Sequence, residues 1–102
     1  MGSRRRELQE ILEETLGSAH VYFQPPETVK MEYPAIVYSR NLGDTKYAGN
    51  KPYIHTVQYQ LIVIGKDPDA DLLDTVAMLP KCKFVRHYEK ENLNHDVYNL
   101  YY

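Results

Sequence analysis

Apolar and polar positions follow two rhythms along this chain, and the switches between them mark its elements. Between residues 4 and 16, Leu8, Ile11, Leu12, Thr15 and Leu16 recur three or four apart, while Glu7, Glu10, Glu13 and Glu14 fall on the other side. That spacing predicts an amphipathic helix over 4–16, with Ser3 as its N-cap and Gly17 just past its end. Val21–Phe23 reads as a short strand closed by Gln24-Pro25-Pro26, because proline has no N–H to give a ladder. Residues 33–40 form the next strand, with Ala35 and Val37 on one face and Ile36 and Tyr38 on the other. Pro34 near its start points to an edge position, or to an N–H side turned away from a neighbour. Residues 41–52, NLGDTKYAGNKP, have no apolar period and read as a loop at a hairpin tip, longer than a hairpin turn requires.

Strict alternation returns in residues 53–64. Val57, Tyr59, Leu61 and Val63 share one face and Thr56, Gln58 and Gln60 the other, while Ile62 and Ile64 predict that the far end is covered on both faces. Asp67-Pro68-Asp69 then starts a second helix carrying Leu72, Leu73, Val76, Ala77 and Leu79, stopped by Pro80. Residues 81–88 and 96–102 read as two strands joined through 89–95. Helices separated by strand pairs predict an α+β domain: an antiparallel sheet of about four to five strands with two helices packed on one face.

The chain's 102 residues make one domain with a modest core, and 43% hydrophobic with 25% charged residues is ordinary for a folded protein. A net charge of −2 weighs against nucleic acid as the main partner, since phosphate binding draws on surplus Lys and Arg. One cysteine, Cys82, allows no internal disulfide and fits a reducing compartment. No apolar run approaches the roughly 18 residues of a membrane span, and the first residues lack the apolar core of a signal peptide. Composition is unusual in one respect, ten Tyr against two Phe and no Trp. Tyrosine suits surfaces that are partly buried, subunit interfaces included, and also half-exposed strands.

Candidate chemistry is sparse. Asp67, Asp69 and Asp71 open like a calcium loop, but Leu72 stands where that loop needs glycine and Met78 where it needs a bidentate Glu; helix capping explains the carboxylates better. His20, His55, His87 and His95 show no metal-ligand spacing, so no metal or cofactor is expected. Cys82 and His87, five apart on one strand, should point to opposite faces and make no nucleophilic pair. Glu89, Glu91 and Asp96 would sit at a solvated hairpin tip, unlike paired catalytic carboxylates, and Gly65-Lys66-Asp67 lacks the rest of a phosphate loop. His95 should shape the turn. No catalytic residues emerge, and the chain is not expected to be an enzyme.

Two features suggest contact surfaces instead. Arg4, Arg5 and Arg6 lie at the positive end of the first helix dipole, an arrangement explained by solvent screening or by an acidic partner surface. Tyr98, Tyr101 and Tyr102 place aromatic surface on a terminal strand that no charge guards after Asp96, so either another strand of the chain or a neighbouring subunit covers it.

The ordered set of an N-terminal helix, VYFQPP, YPAIVY, NKPY leading into the long strand, KDPD, and NLNHDVYNLYY at the end resembles the tail-completion proteins of long-tailed phages and prophages of Gram-positive bacteria, akin to tail terminators and tail-to-head joining proteins. The resemblance spans nearly the whole chain and includes no chemical signature. It implies a structural virion protein at the head-proximal end of the tail, made in the host cytoplasm. Such proteins form rings, commonly hexameric, that cap the tail tube and dock to the head connector. In that setting Tyr98, Tyr101, Tyr102 and Arg4–Arg6 would serve the contacts between subunits. Asp44, Lys46, Tyr47, Asn50 and Lys51 would project to the tail-tube protein or the head connector. A head-completion or adaptor protein of the same virion is the nearest alternative. A single-strand nucleic-acid binder stacking bases on Tyr53, Tyr59 and Tyr88 is a more distant one.

Overall fold

The computed structural model describes residues 3–48, 51–67 and 71–102. They form helix α1 (Ser3–Leu16), strands β1 (Val21–Phe23), β2 (Ala35–Ala48) and β3 (Lys51–Gly65), helix α2 (Asp71–Ala77), and strands β4 (Cys82–Lys90) and β5 (Leu93–Tyr101). The expected start of the second helix at 68–70 lies outside the described residues. The α+β class stands: one mixed, mostly antiparallel sheet with two helices.

Helix α1 forms where the 3.6-residue period predicts it and ends at Gly17. There a φ of +82° lets the Gly17 and Ser18 N–H groups both reach the Glu13 carbonyl, at 2.8 and 3.2 Å. Its apolar stripe buries Leu8 and Leu12 completely, and α2 adds Val76. These side chains pack on one sheet face, against Ile36 and Tyr38 of β2, Tyr59, Leu61 and Val63 of β3, and Tyr98 and Leu100 of β5. The alternation along β3 therefore selects the face that the helices cover. Burying each of these leucines contributes about 2 kcal/mol.

The sheet order is β1-β2-β3-β5-β4. Three pairings are antiparallel, whereas β1 runs parallel to β2, so an all-antiparallel sheet is corrected at one edge. Pro34 does not mark an edge strand, because β2 lies between β1 and β3. The proline precedes the ladder, which begins at Ala35 opposite Ile64, and on the β1 side the Ile36 N–H reaches the His20 carbonyl at 3.0 Å. The terminal strand β5 is interior too, paired with β3 on one side and β4 on the other, so the chain covers that strand itself.

Residues 41–52 do not form a loop over the described part. β2 and β3 stay paired from Leu42↔Gln58 out to Ala48↔Lys51, with register shifts at Arg40/Leu42 and Lys46/Tyr47. The Gly- and Asn-rich composition hides the strands, since backbone pairing needs no apolar period and the irregularities break what period remains. β1 pairs with β2 only as far as Tyr38, and β5 with β3 only from Gln58. Beyond those points the hairpin continues as a two-stranded arm, some seven residues or about 23 Å long at 3.3 Å per residue. The molecule accordingly measures 50 × 25 × 23 Å.

The second hairpin is tighter than expected. Instead of a connection through 89–95, a two-residue turn of Glu91 and Asn92, with φ of +55° and +65°, joins strands that run to Lys90 and start at Leu93. Positive φ at both central positions is the backbone signature of the hairpin turn that matches strand twist.

Candidate functional site

Three features of this frame could engage a partner: the arm, a groove at its root and a cavity at the opposite end of β3. Asp44, Lys46 and Tyr47 lie on the part of β2 that forms the arm, and Lys51 begins β3; Asn50 is outside the described residues. The backbone thus places Asp44, Lys46, Tyr47 and Lys51 on one projecting ribbon.

The groove at the arm's root lies between α1 and the end of β5. Arg4 and Ile11, Leu79 and Lys81, and Tyr101 and Tyr102 line a cavity of about 290 Å³. The C-terminal residues are fixed there by β3: the Tyr102 N–H reaches the Val57 carbonyl at 3.0 Å, and Gln58 donates to the Tyr101 hydroxyl at 3.2 Å. The Tyr102 hydroxyl donates to Glu7 at 3.2 Å, and the Arg4 guanidinium lies 5.7 Å from its ring centre.

The residues proposed from sequence for subunit contact therefore separate. Arg4, Tyr101 and Tyr102 meet at this groove, and Arg6 is exposed on α1. Arg5 turns to the chain's own body, 4.4 Å over the Phe23 ring, with its Nη1 donating to the Tyr38 hydroxyl at 3.2 Å. That hydroxyl in turn donates to Gln9 Oε1, and Gln9 Nε2 reaches the Val21 carbonyl, so Arg5 closes a network tying α1 to β1 and β2. Tyr98 is 3% exposed, packs under α2 and donates to the Leu73 carbonyl at 3.2 Å. It is a core residue because position 98 falls on the helix-covered face of β5, in register with Leu61. Burial, with the Asp96 carboxylate nearby, pushes its hydroxyl pKa up to about 12.

At the other end of β3, a cavity of about 310 Å³ opens between α2 and the sheet, walled by Pro34, Ile64, Leu72 and Leu73, with Tyr33 and Asp96 at its lining. Asp96 is the buried polar residue of the described chain, 7% exposed, and its Oδ1 lies 3.0 Å from His87 Nδ1. A solvated hairpin tip was expected to hold this carboxylate. It lies within the strand instead, because the turn is only Glu91-Asn92. The missed signal was the alternation Asp96, Tyr98, Leu100, which puts Asp96 on the core-facing side. His95 stacks on Tyr88, ring centres 4.7 Å apart, and its Nδ1 lies 3.1 Å from the Leu93 carbonyl.

A register shift between Phe84 and Arg86 also changes the Cys82–His87 relation. The extra residue returns both to one face, opposite Leu100 and Asp96. Those partners are four residues apart on β5, about 13 Å, so the two side chains form no nucleophilic pair. Burial raises the Cys82 thiol to about 11, which keeps it a thiol at neutral pH. Among the described residues, no three His, Cys, Asp or Glu side chains are placed to hold a metal ion, and no helix is long and apolar enough to cross a membrane.

The aromatic residues considered for base stacking do not share a surface. Tyr59 is 6% exposed in the helix-covered core, whereas Tyr88 pairs with His95 on the other sheet face; the Tyr53 side chain lies outside the described residues. Exposed apolar groups occur elsewhere, at Phe84, Val85 and Met78 around β4 and the end of α2. No protein-family model matches the chain, and no curated protein matches it.

Proposed function

We propose that this chain is a structural assembly protein of a phage particle, which caps the tail tube and joins it to the head connector as a ring of identical subunits. The observation that supports this reading is the two-stranded arm. An isolated two-stranded ribbon is marginally stable in water, so a ribbon that leaves its sheet for about 23 Å is best explained as a surface that another molecule completes. The ordered sequence likeness to tail-completion proteins supplies the kind of assembly. The body's contribution is rigid support: a five-stranded sheet locked by two helices holds the root of the arm. The groove with Arg4, Tyr101 and Tyr102 adds a half-buried aromatic surface beside that root, of the composition favoured at protein contacts. The experiment that tests this reading is localisation in intact particles, with an antibody or gold label directed at a tag on the chain. Label at the head–tail junction is the expected result. Label at the distal tail tip or inside the capsid, or particles without the protein, would overturn it.

A further inference from the structure

The sheet face that the helices leave uncovered is sorted by charge. Register places Lys83, Arg86 and Lys90 of β4 opposite Asn99, Val97 and Leu93 of β5, on the side away from the core residues Tyr98 and Leu100. The register shift between Phe84 and Arg86 brings this about, since without the extra residue simple alternation would send Arg86 and Lys90 to the helix side. All three cations are exposed. The chain carries 14 Asp and Glu, yet among the described side chains of the strands none on this face is a carboxylate. Acidic groups collect on the opposite side of the molecule. There α1 sits over β1 and β2, held by Gln9 on the Val21 carbonyl and by Arg5 on the Tyr38 hydroxyl, and it exposes Glu7, Glu10 and Glu14. Their three- and four-residue spacing lines them along one side of the helix. Glu10 and Glu14 stand about 6 Å apart at 1.5 Å per residue. Lys83 and Arg86, whose partners on β5 are two residues apart, stand about 7 Å apart. Among the described residues, Glu10, Glu14, Lys83 and Lys90 have no ion pair.

From this placement we infer that α1 of one copy lies on the uncovered sheet face of the next, its Glu10–Glu14 side against the line of Lys83, Arg86 and Lys90. The inference rests on the proposed self-assembly and names its contact. A sheet with one bare face gains its second helical layer in this way, and carboxylates and cations that lack partners within one copy find them in another. The two surfaces lie on opposite faces of one sheet, so a pair of copies cannot make the contact twice. Each copy uses both surfaces once, head to tail, and the series closes into a ring where the rotation between copies allows. Exposed charge dominates both sides, so the contact is sensitive to salt.

The test reverses each half of the contact in the full chain, then both halves together. Glu10→Lys with Glu14→Lys makes the helix side basic, and Lys83→Glu with Lys90→Glu makes the β4 line acidic. A chain with all four substitutions keeps the wild-type net charge of −2 while exchanging the signs of the two surfaces. Circular dichroism and thermal melting establish that each variant is folded. In sedimentation velocity across the micromolar range at low salt, wild type associates, and added salt reverses the association. Each double variant loses about tenfold or more in association constant, the effect of a like-charge contact. The fourfold variant regains it, because its reversed surfaces are again complementary to each other. Wild type that stays monomeric, a double variant that associates as wild type does, or a fourfold variant that stays apart would each overturn the inference. Monomeric wild type that binds a single-stranded oligonucleotide through Lys83 and Lys90 would assign the cations to phosphate instead. Particle localisation is read independently of these masses, so failure here leaves the assembly role to stand or fall on the labelling.

Discussion

At the scale of single residues, neighbouring arginines have separate jobs. Arg5 lies over Phe23 and donates to the buried Tyr38 hydroxyl, whereas Arg6 is exposed. A cation over a ring and one part-buried hydrogen bond together contribute about 1 to 2 kcal/mol. Arg5→Met should therefore lower the urea unfolding free energy by about that amount, and Arg6→Ala should change it by less than about 0.5 kcal/mol. Equal losses would contradict the assignment. Two groups whose pKa values burial raises furthest, Tyr98 and Cys82, give a second expectation. Tyr98 and Cys82 hold their protons more tightly folded than unfolded, up to about 12 and about 11. Their contribution is complete below their ordinary pKa values and declines as pH rises from about 9 towards 12, because the unfolded chain ionises first. Unfolding titrations at pH 8 and pH 11 should show the loss, and Tyr98→Phe should reduce the late-titrating tyrosine absorbance near 295 nm, to which buried Tyr38 also contributes.

Among the elements, those whose sequence period matches the buried face were legible and those shaped by backbone exceptions were not. Leu8 and Leu12 announce α1, and Tyr59, Leu61 and Val63 announce the covered face of β3. The β2 half of the arm is not legible as strand because residues 41–48 carry no apolar period, whereas the alternation from residue 53 on marks most of its β3 half. The shift near Val85 put Cys82 and His87 on one face against simple alternation, and the turn at Glu91-Asn92 left Asp96 inside a strand. That turn makes a direct prediction. Glu91 adopts φ of +55°, a conformation that costs a non-glycine residue about 1 kcal/mol and that asparagine tolerates better. Glu91→Asn should raise the melting temperature by a few degrees, consistent with 4 to 8 °C per kcal/mol for a domain near this size. An unchanged or lower melting temperature would show that the Glu91 side chain offsets its own backbone strain.

For the whole molecule, stability and contact are assigned to different ends of the same strands. Among the described residues, the core cluster draws on α1, α2 and the mutually covered parts of β1, β2, β3 and β5, and Val57 at the root of the arm packs against it. Substituting Lys46, Tyr47 and Lys51 together by alanine therefore acts beyond the region that holds the body together. Such changes fall within about 0.5 kcal/mol each, so the variant should melt within a few degrees of wild type. The same variant should block assembly, giving heads and tails that fail to join when it replaces the native chain in a producing host. Electron microscopy of the lysate reads this directly as separate heads and tails. A stable variant that still yields joined, infectious particles would remove the arm from the contact. An unstable one would show that the ribbon is part of the fold rather than an extension offered by it.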